Sequence, residues 1–97
     1  MAKVNNVWVV DDDRSIRWVL ERALTKQGYE CSVFESGESL LRKIQGQTPD
    51  VIISDVRMAG MDGLELLSRI QSEHPDIPVI IMTAHSDLDS AVSSFQG

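Results

Sequence analysis

Val7-Trp8-Val9-Val10-Asp11-Asp12-Asp13 sets four apolar residues directly against three carboxylates. The apolar half is short and rich in β-branched residues, which reads as a strand rather than a helix. It does not alternate with polar residues, so the strand is expected to be buried on both faces, as strands of parallel sheets are. Two further runs repeat the design: Val51-Ile52-Ile53-Ser54 leads into Asp55, and Val79-Ile80-Ile81-Met82 leads into Thr83. Residues 29–34 form a less continuous strand between the first two runs.

Between the strands, apolar residues recur at helical spacing. Ile16, Val19, Leu20, Ala23 and Leu24 precede Gly28, which stands where a helix should stop. Leu40, Leu41 and Ile44 follow a candidate cap at Ser36. Leu64, Leu66, Leu67 and Ile70 end at His74-Pro75, and Leu88, Ala91, Val92 and Phe95 follow a candidate cap at Ser86. Trp8 and Trp18 are expected in or near the core, and Cys31 is expected to pack. The order β-α-β-α-β-α-β-α, with short connections and no internal repeat, predicts an α/β fold. Its centre is a doubly wound parallel sheet with helices on both faces.

The chain has 97 residues, enough for one small domain. Hydrophobic residues make up 42% and charged residues 25%, a globular balance. Fifteen acidic against nine basic residues give a net charge of −6, which argues against direct nucleic-acid binding and against docking on an anionic membrane. No apolar run approaches the roughly 20 residues that a bilayer-spanning helix needs. The start lacks the apolar core of a signal peptide. A lone cysteine builds no disulfide framework. These features together predict a cytoplasmic domain.

In a doubly wound sheet the functional crevice lies beyond the carboxyl ends of the strands. That rule gathers Asp11, Asp12, Asp13, Asp55, Thr83 and Ala84 at one edge. Carboxylates so placed repel one another unless a cation neutralises them, and Mg²⁺ (or Mn²⁺) prefers oxygen ligands of this kind. With a metal offsetting charge on phosphoryl oxygens, a carboxylate can attack phosphorus, and a hydroxyl such as that of Thr83 can donate to the incoming group. Plainer readings exist for each part. The Asp triplet suits a helix start, Asp55 suits a turn, Thr83 can be a strand-end hydroxyl, and Gly60 and Gly63 can simply permit a turn.

Taken jointly, Val9-Val10-Asp11-Asp12-Asp13, Val51-Ile52-Ile53-Ser54-Asp55-Val56-Arg57-Met58, Gly60-Met61-Asp62-Gly63 and Ile80-Ile81-Met82-Thr83-Ala84 resemble, in order, the motifs of response-regulator receiver domains. The resemblance covers essentially all of residues 1–97 and implies the flavodoxin-like strand order 2-1-3-4, with a fifth strand and helix expected beyond Gly97. It implies that Asp55 is the phosphoacceptor. Asp12 would hold Mg²⁺ directly and Asp11 mainly through water, with Asp55 and the backbone carbonyl of Arg57 completing the set. Thr83, followed by Ala84, would be the switch hydroxyl. Ala59 departs from the proline usual in the family, and the family's phosphoryl-contacting Lys has no counterpart in these residues.

The implied partner is a sensor histidine kinase. Within the family, residues 7–13, 16–24 and 83–89 are most similar to sigma-54-dependent transcription activators, whose ATPase and DNA-binding domains would be the downstream partners. The domain itself is expected to be regulatory rather than an enzyme, beyond limited self-phosphorylation and autodephosphorylation. A strand at residues 79–82 lying at a sheet edge predicts self-association through that edge or through the last helix.

Three other readings compete. A haloacid-dehalogenase-type phosphatase would use the Asp-x-Asp within residues 11–13 and Thr83, but leaves Asp55 without a role. A flavodoxin-like flavin binder would need a Ser/Thr/Gly-rich phosphate loop where the three aspartates stand. A pseudo-receiver serving only protein contacts would have no need of Asp55 and Thr83.

Overall fold

The computed structural model describes residues 5–58 and 60–82. Its elements run β1 (Asn6–Val10), α1 (Arg14–Lys26), β2 (Glu30–Phe34), α2 (Gly37–Ile44), β3 (Val51–Asp55), α3 (Gly63–Glu73) and β4 (Val79–Met82). The strands form one sheet in the order β2-β1-β3-β4, and every pairing is parallel. The doubly wound fold and the strand order expected from the sequence are thus observed. The fourth helix, from about Ser86, falls outside the described residues.

Helix boundaries follow local chemistry. Ser36 and Asp62 cap α2 and α3 by accepting from the N–H groups of Ser39 and Glu65. Helix α1 ends at Lys26 with Gln27 as its C-cap, and Gly28 then takes φ +95°, a conformation that a side chain would strain. At the amino edge of the sheet, the Asp50 carboxylate accepts from the N–H groups of Asn5 and Asn6 at 2.9 and 2.8 Å, tying the start of β1 to the entry of β3. Those two hydrogen bonds hold the Asp50 carboxyl below its ordinary 3.8.

Crossover direction assigns the helices to faces. The chain moves one way along the sheet from β1 to β2, and the other way from β2 to β3 and from β3 to β4. Right-handed crossovers then put α1 on one face and α2 with α3 on the other. The core agrees. Trp8, Val10 and Ile52 of the sheet pack with Leu40 and Ile44 of α2, Leu66 and Ile70 of α3, and Met58. The Phe34 ring meets the Trp8 ring at 5.1 Å between centroids.

The opposite face corrects the sequence reading. None of the α1 residues is buried. Trp18, expected in or near the core, is 58% exposed, and Ile16 and Val19 of the same helix are exposed as well. Residue spacing identified the apolar stripe correctly, but a stripe is buried only where another layer lies over it. The Trp18 ring is capped instead by the Arg22 guanidinium, 4.9 Å from its centroid.

Candidate metal and phosphoryl site

Strands β1 and β3 are neighbours in parallel register, Val10 opposite Ser54, so the residues that follow them meet at one edge. There, carboxylate oxygens of Asp11, Asp12 and Asp55 all lie within 4.8 Å of one another. Asp11 and Asp55 are buried, at 3% and 8% exposure, and Asp12 is exposed toward solvent. Oxygen ligands, two sunk into the protein and one at the mouth, suit a small hard cation that keeps part of its water shell.

The electrostatics say the same. Burial pushes the Asp11 carboxyl above its ordinary 3.8. The Asp13 N–H, donating to it at 2.8 Å, pulls it back, and the charges of Asp55, Asp12 and Asp13 then push it up again. Such a carboxylate gains from any divalent ion that neutralises the cluster.

The Asp triplet divides by role. Asp13 caps α1, its carboxylate accepting from Ser15 N–H at 2.8 Å and Ile16 N–H at 3.4 Å. The helix-start reading therefore holds for Asp13, while Asp11 and Asp12 join Asp55. Asp11 itself is gripped at several points. Its N–H donates to the Phe34 carbonyl at 3.1 Å, and its own carbonyl accepts from the Arg17 guanidinium at 2.7 Å. The motif reading did not single out Arg17. The only sequence signal was a cation in the opening turns of a helix, where the dipole disfavours one.

Beyond β3 the chain enters the loop carrying Arg57, Met58 and Gly60. Met58 turns into the core, and Gly60 has φ +77°, the turn role expected for it. Gly63 does something different from permitting a turn. It opens α3 beneath the end of β3, where a Cβ would collide with the Asp55 carbonyl oxygen and stand 3.0 Å from Val56 Cα. Its N–H donates to the Val56 carbonyl at 2.9 Å. Glycine here lets a helix start against the backbone of the Asp55 segment. Thr83 and Ala84 follow β4 in sequence and lie outside the described residues.

Comparison with known families finds a match to the response regulator receiver domain over residues 7–97. The chain belongs to that family. It is a regulatory receiver module of the kind used in two-component signalling, and its sequence is similar to that of NtrC. It is 64% identical over 89 residues to the DNA-binding transcriptional regulator NtrC of Klebsiella pneumoniae, a match covering 92% of this chain and 19% of that protein. The receiver thus spans about a fifth of the length of the curated relatives it matches.

Among solved structures, the BeF3-activated receiver domain of nitrogen regulatory protein C superposes with TM-score 0.73 at 60% identity, covering 99% of this chain and 77% of that one. The response regulator TrrA of Thermotoga maritima, in complex with Mg²⁺ and BeF, gives TM-score 0.81 at 36% identity, covering 94% and 79%. No described helix of this receiver is long and apolar enough to cross a membrane.

Proposed function

We propose that Asp55 receives a phosphoryl group from a sensor histidine kinase, with Mg²⁺ (or Mn²⁺) held by Asp11, Asp12, Asp55 and the backbone carbonyl of Arg57. The observation that carries this reading is the convergence of Asp11, Asp12 and Asp55 carboxylates within 4.8 Å. In the transfer, an Asp55 carboxylate oxygen forms a bond to phosphorus as the phosphorus–nitrogen bond to the kinase histidine breaks, and the imidazole takes up a proton. The metal supplies charge neutralisation for the phosphoryl oxygens. Asp55 is the last residue of β3 and is 8% exposed, so its carboxylate is confined at the strand end rather than left to rotate in solvent. Thr83 and Ala84, by their place in the family motif, supply the switch contact.

The similarity to NtrC extends the proposal to the rest of the protein. Phosphorylation would switch a sigma-54-dependent activator of nitrogen-regulated transcription in the cytoplasm, through downstream ATPase and DNA-binding domains. Residues 1–97 would serve as its receiver. The edge of β4, which is the last strand of the sheet among the described residues, or residues 86–97 would carry self-association.

The test is incubation with Mg²⁺ and acetyl phosphate followed by intact-mass measurement. The native chain should gain one phosphoryl group in Mg²⁺ and none in excess chelator, and Asp55→Asn should gain none. An equal gain in Asp55→Asn would contradict the assignment, and turnover of phosphomonoesters that needs Asp11 but survives that change would favour the phosphatase reading.

A further inference from the structure

Arg17 breaks a local rule that the other described helices obey. Helix α2 opens with Glu38 and α3 with Glu65, as the positive end of a helix dipole prefers. Helix α1 has no acidic residue in its first turn, begins at Arg14, and carries Arg17 one turn in. A cation there weakens the helix start, so its presence calls for compensation elsewhere.

The compensation is visible at Asp11. Side chains on a helix lean toward its N-terminus, and Arg17 reaches back over the first turn to donate to the Asp11 carbonyl at 2.7 Å. That oxygen belongs to the planar peptide joining Asp11 to Asp12. Fixing it sets the Asp11 ψ and the Asp12 φ together, and so the direction in which both carboxylates leave the backbone. The other side of Asp11 is already fixed by its N–H on Phe34. The half-buried guanidinium is thus the clamp that completes the grip on this residue. A charge-assisted bond is the strong form of such a clamp.

We infer that Arg17 is a positioning residue for the metal site: its bond to the Asp11 carbonyl aims Asp11 and Asp12 at a divalent cation. This rests on the metal-dependent reading of the site above. A simple counter-charge makes the opposite prediction, because removing a nearby cation from an acidic cluster strengthens its hold on Mg²⁺. The direction of the change therefore separates the two roles.

The experiment is calorimetric titration of Mg²⁺ into the native chain and into Arg17→Ala, Arg17→Lys and Asp12→Asn, with melting curves for each. Positioning predicts a roughly tenfold rise in the Mg²⁺ Kd for Arg17→Ala, the size typical of losing a group that orients a metal ligand. Arg17→Lys, which keeps a donor and the charge, should recover part of the loss. A Kd in Arg17→Ala that is unchanged or lower overturns the inference, even if its Tm falls. Should Arg17→Ala not fold, Arg17→Met is read in its place: a raised Kd upholds the inference, and a native or lower one overturns it. A native chain whose Mg²⁺ binding is absent, or is untouched by Asp12→Asn, overturns the metal reading and this inference together.

Discussion

The two faces of the sheet differ in how they are covered. On the α2–α3 face, Trp8, Val10, Ile52, Leu40, Leu66 and Ile70 are buried almost completely and form one core. On the α1 face, Val7 and Val9 are buried, yet Ile80, which lies in register beyond Val9 and Ile53, is 53% exposed, and Val19 of α1 is 54% exposed. Both faces carry the same apolar patterning. What separates them among the described residues is the number of helices above the sheet, two on one face and α1 alone on the other. The acidic site sits at the strand ends between them, with Asp55 against α3 through Gly63 and Asp11 against α1 through Arg17.

The largest expected effect tests this asymmetry directly. Leu66→Ala, at a fully buried position, should cost about 2–5 kcal/mol in urea unfolding, as buried leucines generally do. Val19→Ala on the opposite side should change stability by about 0.5 kcal/mol or less, as exposed positions do. Similar losses from both would erase the distinction between the faces. Gly63→Ala comes next. Its methyl group must displace the Asp55 backbone, and overpacking of that kind costs about 1–3 kcal/mol. The same change should weaken Mg²⁺ binding, because the displaced segment carries a proposed ligand. An unchanged melting curve would show that α3 can start elsewhere.

Smaller effects distinguish the two ends of the sheet by their sign with pH. At the carboxyl end, the Asp11 pKa is raised, so its charge destabilises the metal-free fold near neutrality, and that cost is relieved as pH falls through the raised value toward 3.8. Asp11→Asn should therefore melt higher than the native chain at pH 7 in chelator, and added Mg²⁺ should narrow the gap. At the amino end, the Asp50 pKa is lowered, so its contribution is present above 3.8 and lost as pH falls through the lowered value. Asp50→Asn should melt slightly lower than the native chain at neutral pH and match it in strong acid. Melting curves from pH 7 to pH 3 read both signs, and identical signs would contradict the assignment of causes.

Much of this was legible in the residues. The strand runs ending at Val10, Asp55 and Met82 predicted a parallel sheet because apolar continuity has few other uses in a short chain. The convergence of Asp11, Asp12 and Asp55 followed from strand-end position alone. Three features did not follow from the residue pattern alone. The division of the Asp triplet, which only the family resemblance implied, has Asp13 spent on capping α1 and depends on where the helix begins, to a precision of one residue. Exposure of Trp18 depends on what lies over α1, which periodicity does not encode. Gly63 and Arg17 act on backbone atoms of Asp55 and Asp11, and contacts made to main chain leave no pattern in side-chain identity.

The central claim is that one carboxylate of the cluster, Asp55, takes the phosphoryl group while its neighbours hold the metal. Borohydride reduction of the acetyl phosphate-treated chain, followed by peptide mapping, locates an acyl phosphate on a particular residue. The account predicts Mg²⁺-dependent reduction at position 55 alone. Reduction at Asp11, Asp12 or Asp13, or equal reduction without Mg²⁺, would contradict it.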